Sequence, residues 1–436
     1  MTASGQPAAN SWAERAHALD RYRWLLLRER YGVLGSAVRF AREAIADLRF
    51  GWRARHRLAE QVSAEPCDLL LLQSAPKVIA FARKKAFIQT LRERGHRLVE
   101  TALQSPKVVC RERLLVQPPQ SVPLRYFGYA AYAQWLVTHH APKVLLNDRN
   151  GSLYSPFLRL AMLATGGPLV HLAHASTVES SRRLGMNDYD YYLLFGRSSL
   201  EALQARRLRF GDSTAVLAGS HMIDSAYDLP PADVQGKRLL VLGVGPDKEK
   251  EAGYQRTYDL LRDWAAANGD WQVLTNRHPR SQAVYWHSAA EQLPNIELLP
   301  AECSLAEALG QATVVVNIMS NAVIEAGLAA RPVVYVNLSA DRDIFNQERF
   351  FGPRVETLAA LQQRIAGICQ AYAEQVQTAR DFALFHLSHG SQGLVQNVRV
   401  LECLLQQQPV PSDIEHHPLN DTVCRATPAH TPKSQA

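Results

Sequence analysis

Two short runs hold most of the side chains that can meet a phosphate. In TNRHPRS (275–281), His278 follows the apolar run DWQVLTN, and Arg277 and Arg280 flank it. An imidazole at the carboxyl end of a strand can donate to a phosphate or a base, arginine grips phosphate through two parallel hydrogen bonds, and Pro279 fixes the turn. The same side chains can equally be solvated surface. In the second run, Ser320 and Asn321 stand between ATVVVNI (312–318) and AVIEAGLAA, where the unpaired N–H groups and dipole of a helix start favour an anion. Either residue can instead be an ordinary N-cap. A third loop, GVGPDKEKE (243–251), offers Gly243 and Gly245 for close backbone approach, without the G-K-S/T of a phosphate loop or a full GxGxxG.

Proton abstraction asks for a group that titrates near neutrality, which histidine does. His174 follows the apolar run PLVHLA and opens a Ser/Thr-rich loop, so it is the first choice for a base; Asp148, closing KVLLND beside Arg149 and Asn150, is the second. A strand-end Asp that caps its own turn is as good a reading of Asp148. His171 lies inside the apolar run and reads as a core histidine. NDYDYY (187–192) contains a D-x-D, but it opens a strand, so Asp188 and Asp190 do not form a metal pair by design, and no metal is expected.

The elements that must carry these residues are short apolar runs alternating with longer helical stretches, the pattern of a parallel sheet covered on both faces. Strands are expected at 67–73, 96–103, 143–148, 168–173, 190–196 and 214–219, and helices at 77–95, 126–140 and 154–166. A Pro- and Asp-bearing hinge, 224–237, precedes a second round, with strands at 238–245, 270–276, 295–300, 312–318 and 331–337 and helices near 247–267, 304–310, 321–329 and 356–378. A helix at 392–408 closes the pattern.

With 436 residues the chain is long enough for two or three domains. The net charge of +7 favours an anionic partner without choosing among nucleotides, polyanions, nucleic acid and lipid headgroups. The arginines are interleaved with Glu14, Asp20, Glu29 and Glu43 and no nucleic-acid motif is present, so no nucleic-acid partner is expected. Six scattered cysteines without a CxxC argue against structural zinc and a disulfide scaffold, and the polar opening lacks a signal peptide's apolar core, so a cytoplasmic protein is expected. Residues 12–60 mix arginine with Trp12, Trp24, Phe40, Phe50 and Trp52 in one or two amphipathic helices broken near 32–35. They read either as a helical collar on the body or as a surface for anionic lipid at the inner face of the plasma membrane.

The run SLAEALGQATVVVNIMSNAVIEAGLAARPVVYVN (304–337) resembles the donor-binding segment of GT-B glycosyltransferases: a helix, a short strand, a small polar turn, a Glu-bearing helix and an R-P-V-V strand. Within that superfamily the chain is similar to bacterial surface-polysaccharide enzymes, the capsule-polysaccharide transferases and CDP-glycerol glycerophosphotransferases. HASTVESSRRLGMNDYDYYLLFG (174–196) resembles their His-containing loop, TNRHPRS a strand ending in an HP pair, and FHLSHGSQGLVQNVRVLECLL (385–405) the turn before their last helix. His389 stands where Asp is usual, and Ser320-Asn321 where two serines are.

The resemblance implies an α/β fold of two Rossmann-like domains facing a cleft, preceded by a helical segment. Residues 1–63 are that segment, 64–225 with the return helix 392–408 the acceptor domain and 235–391 the nucleotide-donor domain; 409–436, full of Pro, His, Ser and Thr without an apolar period, is expected to be a disordered tail. It puts Gly243, Gly245, Arg277, His278, Ser320, Asn321 and Glu325 on the donor, Glu325 accepting from ribose hydroxyls, and His174 or Asp148 on the acceptor. The donor is then a nucleotide-sugar or CDP-polyol, the acceptor a polysaccharide or lipid-linked polymer, and no other cofactor is needed. A UDP-N-acetylglucosamine 2-epimerase-like enzyme and a non-catalytic nucleotide- or glycan-binding protein stay open.

Overall fold

The leucine run at 69–72 shows why the first sheet forms: all of β1, Leu69–Gln73, is buried, as a central parallel strand covered on both faces must be. It is followed by β2 (Leu98–Ala102), β3 (Val144–Asn147), β4 (Leu169–Leu172), β5 (Tyr191–Leu194) and β6 (Ser213–Leu217), then by β7 (Arg238–Leu242), β8 (Gln272–Asn276), β9 (Ile296–Leu298), β10 (Val314–Asn317), β11 (Val333–Tyr335) and β12 (His416–Leu419). The computed structural model describes residues 11–176 and 181–423. These fall into two compact units. Unit 1 holds 11–195, 199–222 and the chain from 395; unit 2 holds 196–198 and 223–394.

Unit 1 is a seven-stranded sheet in the order β12-β6-β5-β4-β3-β1-β2. Its strands are parallel except β12, which runs antiparallel to β6 with His416 opposite Val216 and Leu419 opposite Ser213. This corrects the expectation of a disordered tail from 409. Val410, Ile414, Leu419 and Val423 are buried, but their spacing follows neither a helix nor a strand, so nothing in the sequence flags them. Pro418 suits an edge strand. Residues 424–436 lie outside the described residues.

Two helices open unit 1, α1 (Trp12–Arg28) and α2 (Val33–Arg55). Ser11 and Glu14 close a capping box at the start of α1, and Gly32 separates the two helices. α2 packs on the helix Leu124–His140 so closely that a Cβ on Gly51 would lie 1.8 Å from the carbonyl oxygen of Leu124. Ion pairs centred on the buried side chains of Arg23, Asp47 and Arg125 tie α1, α2 and this helix together. Arg23 pairs with Asp47 at 2.6 Å and Glu43 at 2.9 Å, Arg125 pairs with Asp20 at 2.6 Å and Asp47 at 3.2 Å, and the Tyr129 hydroxyl donates to Asp47. Of the five aromatics singled out in this segment, Trp12 and Phe50 face inward.

Unit 2 is a five-stranded parallel sheet, β11-β10-β7-β8-β9, with Leu242 opposite Asn276 and Asn317 opposite Leu242. Its core gathers Tyr254, Tyr258 and Trp264 of the helix Ala252–Ala267 over Val241, Val273 and Val316. The expected helix 356–378 is two, Leu358–Gln370 and Tyr372–His386, divided at Ala371. In unit 1 the expected helix 77–95 is likewise divided, because Ala82 adopts φ 48° between Pro76–Ala80 and Lys85–Glu93.

Candidate functional site

Each sheet has one place where neighbouring strands leave their chains in opposite directions, and in open α/β sheets the crevice outside the carboxyl ends at that point is where ligands bind. In unit 2 it lies between β7 and β10. A cavity of about 580 Å³ opens there, lined by Gly243 after β7, Arg277 and His278 after β8, and Ser320 and Asn321 after β10, with Cys303 and Ser304 beside them. Among the described residues its lining contains no carboxylate.

The loops that form this cavity are tied to one another. The Gly243 N–H donates to the Asn276 carbonyl at 2.8 Å, and a Cβ at Gly243 would lie 2.9 Å from that oxygen and 3.0 Å from the His278 nitrogen. Only glycine allows the approach without a shift. The Arg280 N–H donates to Nδ1 of His278 at 3.1 Å, which leaves Nε2 to carry the ring proton. Ser281 anchors the turn by donating to the Glu249 carboxylate at 2.6 Å. On the β10 side, buried Asn317 accepts from the Ser320 N–H at 3.0 Å and donates to Gln347 at 2.8 Å. Ser320 Oγ accepts from the Ala322 N–H at 3.4 Å, so the hydroxyl takes the capping role, while Asn321 makes no cap bond and is exposed.

Two donor-side residues named from the sequence lie outside this lining. Gly245 caps the short helix Pro246–Glu249. Glu325 is half-buried one turn into Ala322–Leu328; burial pushes its carboxyl up to about 7, and Oε2 has no hydrogen-bond partner among the described residues.

In unit 1 the crossover point lies between β1 and β3. The cavity there, about 620 Å³, is lined by Ser74 after β1, Asp148 and Asn150 after β3, and His174 after β4, together with Lys84 and Arg183. A second cavity of about 750 Å³ shares Ser74, Arg149, Asn150 and Arg183 and extends to Tyr22 and Leu26 of α1. Asp148 is buried and pairs with Lys84 at 2.8 Å; Lys84 also donates to Gln73 at 3.3 Å. His174 is exposed over the cavity. His171 is the satisfied core histidine its place in the strand suggests. Nε2 donates to Asn150 at 2.8 Å, Nδ1 accepts from Asn147 at 3.3 Å, the ring stacks on Tyr189, and burial lowers its pKa to about 3. Asp188 and Asp190 are committed to Arg159, at 2.9 and 3.0 Å. Among the described residues no group of His, Cys, Asp and Glu has metal-site geometry.

Sequence reasoning missed Lys84 and His221. Lys84 is one of three successive basic residues, and only the fold shows which of them turns inward. His221 follows β6 as His174 follows β4, so the strand-end rule could have found it. It is buried between the rings of Phe87 and Phe195, with Nε2 unpartnered among the described residues and a pKa lowered by burial to about 3.

No protein-family model and no curated protein matches the sequence. Solved structures match by shape. A putative UDP-N-acetylglucosamine 2-epimerase from Listeria monocytogenes superposes with a TM-score of 0.51 at 12% identity, over 79% of this chain and 98% of that one. The UDP-GlcNAc 2-epimerase from Neisseria meningitidis gives 0.42 at 12% identity over 77% and 99%, and the wall teichoic acid polymerase TagF gives 0.39 at 11% identity over 89% and 98%. The first of these, with the two sheets, fixes the fold as two Rossmann-like units of the GT-B type behind N-terminal helices.

Proposed function

We propose that the protein is a transferase that moves a sugar or a polyol phosphate from a nucleotide-activated donor to a surface-polysaccharide acceptor, at the cytoplasmic face of a membrane. The observation that carries this reading is the unit 2 cavity: it lies at the crossover of the sheet, presents Arg277 and His278, and has no carboxylate in its lining among the described residues. Such a lining suits the phosphates of a nucleotide and stabilises the charge that develops on the leaving group. Glu325, outside that lining and one turn into the helix that follows Asn321, would take the hydroxyls of a ribose that extends past the cavity. In unit 1, His174 or Asp148 removes the proton from the acceptor hydroxyl, whose oxygen bonds to the transferred group as the bond to the nucleotide phosphate breaks. No metal is needed in this scheme, since Arg277 and the Nε2–H of His278 meet the charge.

An epimerase-like reaction calls for several acids around the sugar, and among the described residues Asp148, already paired with Lys84, is the one carboxylate lining the 620 Å³ cavity of unit 1. That favours transfer. The test is a thermal-shift panel with UDP, CDP, CMP, GDP and ADP, with and without EDTA, on the wild type and His278→Ala. One nucleotide should raise the midpoint of the wild type, in EDTA too, and not that of the variant. No shift with any of the five would sink the donor site.

A further inference from the structure

The outward face of α2 carries an apolar stripe. Leu34, Val38, Ala41, Ile45, Leu48 and Trp52 follow one another at steps of four and three residues, so at about 100° per residue they keep within about 40° of one line along the helix. Leu34 is 83% exposed, Val38 71%, Ile45 50%, Leu48 41% and Trp52 60%. Ser36, Asp47, Phe50 and Ala54, on the opposite side, are buried against the body. Single exposed apolar residues need no explanation, but a continuous row of them does.

Charge borders the stripe in one sign. Arg42, Arg49 and Arg53 are exposed along one flank. The two acids of α2, Glu43 and Asp47, lie on the far side and pair with Arg23 and Arg125.

A second copy of the chain is the obvious rival occupant, because steps of four and three also make a coiled-coil seam. The residues beside the seam argue against it. They are Arg42 and Arg49 on one side and Ala37 and Ala44 on the other, so a partner helix would meet arginine with a small residue or another arginine. No acid is there to complement it. An anionic bilayer supplies both missing partners, hydrocarbon for the stripe and headgroup charge for the arginines. Among the described residues no helix is long and apolar enough to cross a membrane.

We propose that α2 lies in the headgroup plane of an anionic membrane with the row from Leu34 to Trp52 facing the acyl chains. The inference rests on the membrane-facing part of the proposed function and not on the transfer chemistry.

The experiment is flotation of the full chain with vesicles of phosphatidylethanolamine and phosphatidylglycerol, against vesicles of phosphatidylcholine alone, at low and high salt. The wild type is compared with V38E/I45E and R42Q/R49Q, and each is also run by sedimentation velocity. These side chains are exposed, and a thermal melt followed by circular dichroism reports whether each variant is folded. The wild type should bind the phosphatidylglycerol vesicles and not phosphatidylcholine. V38E/I45E should bind them at least about tenfold more weakly, and R42Q/R49Q should lose most of the salt dependence. Three results would overturn the proposal: equal binding to both vesicle types, undiminished binding by V38E/I45E, or a wild-type dimer that ignores vesicles and becomes a monomer in V38E/I45E. Vesicle binding without any nucleotide shift would instead sink the transferase reading and leave this one standing.

Discussion

The Nζ of Lys84 lies 2.8 Å from Oδ2 of Asp148, each side chain is 4% exposed, and Oδ1 of Asp148 has no hydrogen-bond partner among the described residues. Breaking a buried pair on one side leaves a lone charge and costs about 3–5 kcal/mol, whereas replacing both members by apolar groups is close to neutral. Lys84→Met should therefore lower stability in urea by about that amount, and K84M/D148L should recover most of it. Recovered stability without transfer activity would assign the pair to function. No recovery would mean that the pair holds this edge of the sheet in shape.

Gly243 and Gly245 stand two residues apart in one loop and face different surroundings. A Cβ at Gly243 meets backbone atoms at 2.9 and 3.0 Å, while the nearest atom to one at Gly245 is the far end of Arg280, at 3.9 Å. Gly243→Ala should cost about 1–3 kcal/mol and weaken nucleotide binding, because the β7 and β8 loops must separate. Gly245→Ala should stay within about 0.5 kcal/mol of the wild type. Urea midpoints and nucleotide thermal shifts on the two variants check the contrast.

The parallel strands were legible because strands buried on both faces are written as continuous apolar runs, as LLLL in β1 and VVVN in β10 are. β12 was not, since HHPL on an edge carries no such signature and exists only because β6 offers it a partner. The residues that gather in the unit 2 cavity were legible for a related reason: each follows the carboxyl end of a strand, and a parallel sheet brings those ends to one edge. Lys84 could not be found this way. It comes from a helix start and meets Asp148 from 64 residues away, so its role depends on the chain reversal at Ala82. The stripe on α2 is half legible: Trp52 belongs to it, but the sequence sets Trp52 among Trp12 and Phe50, which face the other way.

Glu325 gives stability a slope with pH. Burial raises its carboxyl from 4.5 to about 7, so between those values the folded chain holds a proton that the unfolded chain has lost. Stability therefore falls as pH rises through that window, by an amount of order 3 kcal/mol. Glu325→Gln should gain stability over the wild type at about pH 8 and little at about pH 5, measured as urea midpoints.

His221 and His171 act in the opposite direction. Both are lowered from 6.5 to about 3 by burial, so the stability present above 6.5 is lost as pH falls towards the folded value. His221→Leu should make this acid limb shallower at little cost near neutrality, because Nε2 satisfies no partner among the described residues and the ring packs on Phe87 and Phe195. His171→Leu should cost about 1–3 kcal/mol at neutral pH, since it strands Asn147 and Asn150. Chemical denaturation from acid to neutral pH on the two variants separates them.

The assignment of roles to the two units can be tested with the two candidate bases. His174 and Asp148 line one cavity in unit 1, and Arg277 and His278 line another in unit 2. If unit 1 holds the acceptor, His174→Ala and Asp148→Asn should leave the nucleotide thermal shift unchanged. The variant that removes the base should lose about 10²–10⁴-fold in turnover, and the other should lose less. The pH–rate profile of the less damaged variant should keep the wild-type acidic limb, which a general base governs because it must lose its proton to act. If either substitution abolishes the nucleotide shift while turnover at saturating donor persists, unit 1 is the donor site and the roles of the units are exchanged.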